Sequence, residues 1–419
     1  MVNAILEKNA TPTAIRTSAP GRVGLIGGYS ILERGNTSYS FTVDARVYAH
    51  VTPADTIRIR SKQFGVDTAA AWKKNGKPTT TATLAAMGKK NDKDATTSHS
   101  ASGRFNQEYK DPAGGQLILE TDAPAAAFAK ASIQTVLEYL ESRKIKINPF
   151  VLETQSDAAF TQGGGKSGLG SSAAATVAMV YGLLLHHGVS DLKMAHHCAQ
   201  VAHSRAQGKV GSGYDVAASI FGSQEYQRYS PALVEQFPKS AEKSWDYFIR
   251  PLRVAPCFYM ALATFPKEST STVSMTQLTG AWKKAHPKAY ADLMQELDDA
   301  NVDAIAYLEQ LHTEKTEENF ELFKQFIDCG RALTRKLGEA SGAPIEPLDV
   351  TALIDQSLEN GAFVCKTPGA GGKDNLVALC LSEKDAARVK KLWKKKGIEP
   401  LDVKIQNEGV RIENALLKV

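Results

Sequence analysis

Gly163 to Ser172 reads Gly-Gly-Gly-Lys-Ser-Gly-Leu-Gly-Ser-Ser and runs straight into Ala173-Ala174-Ala175. Glycine this dense does not settle in the interior of a helix or strand, because each one gives up more backbone freedom there than any other residue. The segment that follows is helical by pattern. Val177, Val180, Tyr181, Leu184 and Leu185 recur on one face, and Gly188 ends the run. The chain therefore holds a bare loop feeding a helix N-terminus, with Ser171 and Ser172 at the capping positions. Unpaired backbone N–H groups and the positive end of the helix dipole converge there, which suits a phosphate group.

Two familiar phosphate loops can be tested against this stretch. The P-loop pattern requires a glycine five residues before Gly165-Lys166-Ser167, where the chain has Phe160, so it fails. Gly163, Gly165 and Gly168 satisfy G-x-G-x-x-G, but the acidic residue expected about 20 positions later is missing from a second strand. The nearest candidate, Asp191, falls between two helical patterns. A plain flexible linker would seldom enter a capped apolar helix. Nucleotide phosphate binding by another loop type is the remaining expectation.

Composition narrows the class. The 419 residues carry a net charge of +5 with 43% hydrophobic content, which suits a globular protein and an anionic small substrate rather than nucleic acid. The five cysteines are scattered without a C-x-x-C, so reduced thiols and an intracellular setting are expected. Met1 to Ala10 has no long apolar run, and no stretch reaches the ~18 apolar residues of a membrane helix. Cytoplasmic residence is the default expectation, with a peroxisome-like organelle reachable through an internal signal.

Along the chain, Ile15 to Val23 reads as a strand interrupted at Ala19-Pro20-Gly21, and Arg46–Val51 and Thr56–Arg60 alternate like half-buried strands. From about Phe64 to Pro112 the pattern dissolves into a polar surface insertion. Gln116–Glu120 and Phe150–Thr154 read as strands around a helix over Ala125–Ser142. After the glycine loop, helices follow to about Arg205. A charged stretch at Lys239–Asp246 marks the expected boundary between residues 1–245 and 246–419. The second part reads as strand Phe258–Phe265, three helices over Thr276–Ala340, a helix to Asn360, strands 362–366 and 376–381, a basic helix and a last strand near Asp402–Ile405. Strands and helices mix in both halves, which predicts two α+β domains.

Three glycine motifs then stand in order: Pro20-Gly21-Arg22 with Gly27-Gly28-Tyr29, Gly168-Leu169-Gly170-Ser171-Ser172-Ala173-Ala174, and Gly369-Ala370-Gly371-Gly372. Together they resemble the GHMP kinase superfamily. The run from Ala199 to Asp215, with Gly-Gly-Tyr in the first motif, is similar to its eukaryotic-type phosphomevalonate kinase branch. The resemblance implies an α+β two-domain fold, the N-terminal part like ribosomal S5 domain 2 and the C-terminal part ferredoxin-like, with ATP between them. It implies transfer of a phosphoryl group from ATP to (R)-5-phosphomevalonate, with Mg²⁺. The alternatives are another small-molecule kinase of the superfamily, such as mevalonate kinase, or a catalytically silent nucleotide-binding regulator.

On that resemblance, Lys166, Gly168, Leu169, Gly170, Ser171, Ser172 and Ala173 hold the ATP phosphates, and Ser172 reaches Mg²⁺, a role compatible with helix capping. Asp215 matches the catalytic aspartate, although its place after a glycine turn equally suits an N-cap. Tyr29, Ser212, Gly213, Gly371 and Gly372 would face the substrates, joined by the cations Arg205, Lys209 and Arg228 near Asp215, since the acceptor is anionic at both ends. A solvated helix end is the plain alternative for Arg205 and Lys209. Three departures stand out. Arg22 replaces a lysine and keeps its charge without serving as a base. Ser204 stands where mevalonate kinases place an acidic metal ligand, so water or phosphate must complete the Mg²⁺ shell. Lys373-Asp374-Asn375 follows the third loop in place of a commoner Gly-Asp-Cys. The histidines on the two central helices lack cysteine partners and do not suggest zinc.

Overall fold

The structure, a computed structural model, describes residues 14–61, 65–74, 77–78, 115–119, 126–162, 167–266 and 272–413. Alternating apolar positions in β1 (Ile15–Ile26), β2 (Ser38–Pro53) and β3 (Ile57–Ser61) build the start of the first sheet. It continues with β4 (Val66–Lys74), β5 (Lys77–Pro78), β6 (Gly115–Leu119) and, after helix α1 (Ala127–Ser142), β7 (Phe150–Ser156). The strand order is β1-β2-β7-β3-β4-β5, with β6 beside β4 and only the β3–β7 pair parallel along this path. β1 is not broken at Pro20: that residue pairs with Arg46, whose backbone N–H and carbonyl both bond to Asp157 and so require no donor from the proline, and a register shift follows before Arg22. The insertion expected from Phe64 to Pro112 contributes β4 and β5 among the described residues, and its remainder lies outside them.

Helix α2 (Ser171–His186) lies across β1 and β2, flanked by α1 and by α3 (Leu192–Gln207). Its small residues explain how closely it approaches. A side-chain carbon added at Gly182 would come within 3.0 Å of Thr17 Oγ1 and 3.1 Å of Val51 Cγ2. Helix α4 (Tyr214–Phe221), strand β8 (Gln224–Gln227), the short helix α5 (Ala232–Glu235) and strand β9 (Phe248–Pro251) complete this part. β8 pairs with β2 and β9, so the first sheet continues past the boundary expected near Asp246.

The second sheet begins at β10 (Tyr259–Thr264). Helices α6 (Thr272–Ala285), α7 (Pro287–Gln310), α8 (Glu317–Ser341) and α9 (Leu348–Glu359) lead to β11 (Val364–Lys366), β12 (Asn375–Cys380), α10 (Glu383–Lys395) and β13 (Glu399–Pro400). The antiparallel order β11-β12-β10-β13 is that of a split βαββαβ unit, the ferredoxin-like arrangement. Period-two alternation divides its faces. Ala261 and Ala263 pack with Ile354, Val389 and Trp393, while Met260 and Leu262 join the core that contains Ala304, Leu308 and Phe323.

After β13 the chain returns to the first sheet. No strand forms over 402–405; Ile405 makes a single bridge to Val43, and β14 (Arg411–Glu413) pairs with β1. Buried Arg46 fastens this return. Its guanidinium donates to the Ser18 hydroxyl and carbonyl, the Gln406 side chain and the Gly409 carbonyl at 2.6–3.2 Å. The two domains are therefore one continuous core with the chain crossing between them twice.

Candidate active site

The glycine loop meets α2 as expected, with a correction at the cap. The helix starts at Ser171, and its N-cap is Gly170 in the left-handed conformation (φ 75°), with no side-chain cap hydrogen bond. Ser171 and Ser172 are the first two helical residues, so their hydroxyls are not spent on capping. A side chain at Gly170 would also press to 3.0 Å from the Arg22 guanidinium carbon. Arg22 emerges from the bulge of β1, its backbone N–H on the Leu169 carbonyl and its Nη1 on the Gly168 carbonyl, both at 2.9 Å. Its guanidinium lies 5.0 Å from the Tyr214 ring centre, and its Nε is buried with no partner among the described residues. Asn375, one of the departures in the third motif, fixes the loop from the other domain by donating to the Ser167 carbonyl at 2.7 Å.

Facing Ser172 is a residue to which the sequence assigns no role. His203 on α3 places Nε2 at 3.2 Å from Ser172 Oγ, 3.2 Å from Gln207 Nε2 and 3.9 Å from Asp215 Oδ2. Burial holds the imidazole below its ordinary pKa, against the pull of Asp215 and with the push of Arg22. Ser204 faces Tyr229 instead, so its neighbour His203 is the residue of α3 that reaches the loop. Asp215 sits in the first turn of α4, whose N-cap is Gly213 in the left-handed region (φ 79°). Its Oδ1 accepts from the Val216 N–H at 2.9 Å, and the side chain is 17% exposed, open enough to meet a ligand. Arg22, Ser172, His203 and Asp215 thus gather at the start of α2.

The remaining expected residues divide into several groups. Gly168, Leu169, Gly170, Ser171, Ser172 and Ala173 form the loop and the first turn, whereas Lys166 lies outside the described residues. Tyr29 is a domain clasp: its hydroxyl donates to the Ala370 carbonyl at 2.8 Å, and burial pushes its phenol pKa up. Arg228 ties turns together through the Leu32 and Gly211 carbonyls at 2.6 and 3.0 Å. The Ser212 carbonyl accepts from Tyr226 Oη, and Gly213 leaves no room for a side chain beside Gln200 and Tyr229. Arg205 turns away into the helix layer, where Nη1 donates 2.7 Å to fully buried Glu138 and 3.1 Å to Thr135. That geometry gives a substrate role for Arg205 no support. Lys209 is exposed beyond the end of α3. Gly371 and Gly372 adopt left-handed φ values of 78° and 72° and turn against the Ile345 carbonyl.

No group of three His, Cys, Asp or Glu side chains that could cage a metal occurs among the described residues. The donors at the loop mouth are the Ser172 hydroxyl and the Asp215 carboxylate. No described helix is long and apolar enough to cross a membrane.

Comparisons with known proteins agree with this arrangement. Residues 128–223 match the family model "GHMP kinases N terminal domain", and residues 308–399 match "GHMP kinases C terminal". A phosphomevalonate kinase of Gibberella zeae is 28% identical over 96% of this chain and 97% of its own. A peroxisomal phosphomevalonate kinase of Arabidopsis thaliana is 26% identical, with 96% of each covered. The crystal structure of Streptococcus pneumoniae phosphomevalonate kinase with phosphomevalonate and AMPPNP shares the fold at a TM-score of 0.67. It is 20% identical and covers 94% of this chain and 100% of that one. With both family domains in place, the three glycine motifs in order and the whole length matched, the chain belongs to the GHMP kinases.

Proposed function

We propose that the protein transfers the γ-phosphoryl group of ATP to (R)-5-phosphomevalonate, giving ADP and 5-diphosphomevalonate, the reaction of the mevalonate route to isoprenoids. The observation that carries this reading is the convergence of Arg22, Ser172 and Asp215 on the N-terminus of α2 in a chain whose full-length relatives are named phosphomevalonate kinases. An acceptor phosphate oxygen attacks the γ-phosphorus as the bond to the β,γ-bridging oxygen breaks. A phosphomonoester has its second pKa near 6, so this nucleophile is largely unprotonated at neutral pH. Asp215 therefore has only the proton of the residual monoanion to take. Arg22 keeps its charge in place, with the unpartnered Nε as a donor for a phosphate oxygen. The loop N–H groups and the α2 dipole hold the ATP phosphates.

Mg²⁺ fits this donor set through Ser172, with phosphate oxygens and water completing the shell, as is usual for this ion. When bound, it neutralises charge building on the transferred group. Cytoplasmic residence remains the reading proposed here, although the Arabidopsis relative is described as peroxisomal. The test is ADP release from Mg-ATP with phosphomevalonate, mevalonate, galactose and homoserine in parallel. Turnover with phosphomevalonate far above the others is expected. A preference for mevalonate would reassign the acceptor, and no turnover with any of them would favour a regulatory nucleotide-binding role.

A further inference from the structure

Gly369 has two neighbourhoods. A side-chain carbon there would lie 3.5 Å from the Tyr214 hydroxyl, on the residue before Asp215. Gly369 also borders a second cleft at the domain junction, lined by Gly28, Arg331, Arg335, Glu346 and Lys366. Charges in this cleft are unequally matched. Arg331 grips buried Glu346 with Nε and Nη2 at 2.7–3.1 Å, and Asp355 stands 3.5 Å from it on the exposed rim. Glu346 also accepts from Thr351 Oγ1 at 3.0 Å, so its oxygens are well occupied. Arg335 reaches Glu346 only at 3.9 Å. Lys366 donates to the Leu25 carbonyl at 2.9 Å and has no carboxylate in ion-pair range among the described residues. Two cationic heads are left without a full partner, against walls that include bare glycine backbone.

We propose that this cleft is the subsite for the carboxylate of the acceptor, with Arg335 and Lys366 as its ligands; the proposal rests on the phosphomevalonate reading above. The acceptor carries an anion at each end. With its phosphate at Arg22, the carboxylate requires a second set of cations, and this cleft shares Gly369 with the wall formed by Tyr214, the residue before Asp215. The planar Arg335 fork matches a carboxylate, and Lys366 supplies a point charge beside it. Burial, together with Arg331 and against the pull of Glu346, lowers Lys366 to about 8. A bound anion would offset that burial and hold the ammonium charged.

The test compares wild type with Arg335→Gln, Arg335→Lys and Lys366→Met, using steady-state kinetics and calorimetric binding of the acceptor without nucleotide. Each protein is given phosphomevalonate and the analogue whose carboxylate is reduced to an alcohol. Losing one charge-assisted contact should raise the KM and Kd for phosphomevalonate roughly 10–100-fold in Arg335→Gln, and less in Arg335→Lys. The constants for the analogue and for ATP should hardly move. Lys366→Met also loses the bond to the Leu25 carbonyl, so its thermal midpoint is read beside its affinity. If Lys366→Met does not fold, Arg335→Gln, on a partly exposed helix face, decides alone. Equal changes for phosphomevalonate and the analogue, or no change for either, overturn the subsite while leaving the function standing. A wild type that does not turn over phosphomevalonate overturns both.

Discussion

Replacing Arg205 with Met should cost stability and spare the acceptor site. Arg205 brings its positive charge within 2.7 Å of Glu138, whose side chain is fully buried between α1 and α3. Removing one member of such a buried pair costs about 3–5 kcal/mol, even though Glu138 keeps the bond from the Gln134 amide. Each kcal/mol moves the midpoint of a domain of this size by about 2–4 °C, so the expected fall is about 6–20 °C. Arg205→Met combined with Glu138→Leu should recover most of it, because a buried pair exchanged for apolar side chains is often neutral or stabilising. Calorimetric melts of the wild type, both single variants and the double variant measure the effect, with the KM for phosphomevalonate as control. A midpoint within about 2 °C of wild type together with a tenfold rise in KM would refute the reasoning and make Arg205 an acceptor ligand.

Three further outcomes are expected. Ser172→Ala and His203→Asn should each lower kcat, the latter by roughly 10–100-fold as for other residues that orient a ligating group. Both should weaken the water-proton relaxation signal of Mn²⁺ bound with nucleotide, and unaltered relaxation in both would remove the pair from the metal site. Lys209→Met should raise the KM for phosphomevalonate roughly 10–100-fold with that for ATP unchanged; a rise confined to ATP would contradict it. Acid should destabilise the fold through His187 and His197, which burial lowers from the ordinary 6.5 to about 4. The unfolded chain binds these protons first. Stability is therefore complete above about 6.5 and falls by about 1.4 kcal/mol per pH unit per histidine down to about 4. Urea midpoints that stay flat between those values would exclude this.

Local grammar made much of this legible. The glycine run, the spacing of α2 and the placing of Asp215 after a glycine turn all reflect backbone rules that act over a few residues. What sequence could not supply was the rotation of α3. Successive helical residues turn by about 100°, so Arg205 faces about 200° from His203, while Gln207 returns to the same side. The cation close to Asp215 in sequence therefore points into the helix layer, and the unremarked histidine points into the site with Gln207 beside it. Tyr29 and Arg228 read as substrate contacts in the sequence, but their hydrogen bonds go to carbonyls far along the chain. The end of the chain misleads for a related reason. Residues 402–405 alternate like a strand, but their partners lie in the first sheet, where one bridge and the Arg46 network take the place of a ladder.

The return of residues 401–413 to the first sheet bears on how the molecule comes into being. Arg16 pairs with Glu413 and Val43 with Ile405, so the first sheet is sealed by partners made hundreds of residues later. On a ribosome adding roughly 5–20 residues per second, the nascent first domain must wait some tens of seconds for its final edge strand. Until then Arg46 has no Gln406 or Gly409 to hold, and the β1 edge is open to pairing with other chains. The ferredoxin-like unit, closed by β13, gains all its strands before that edge is covered. Of the two domains, the one begun first is completed last.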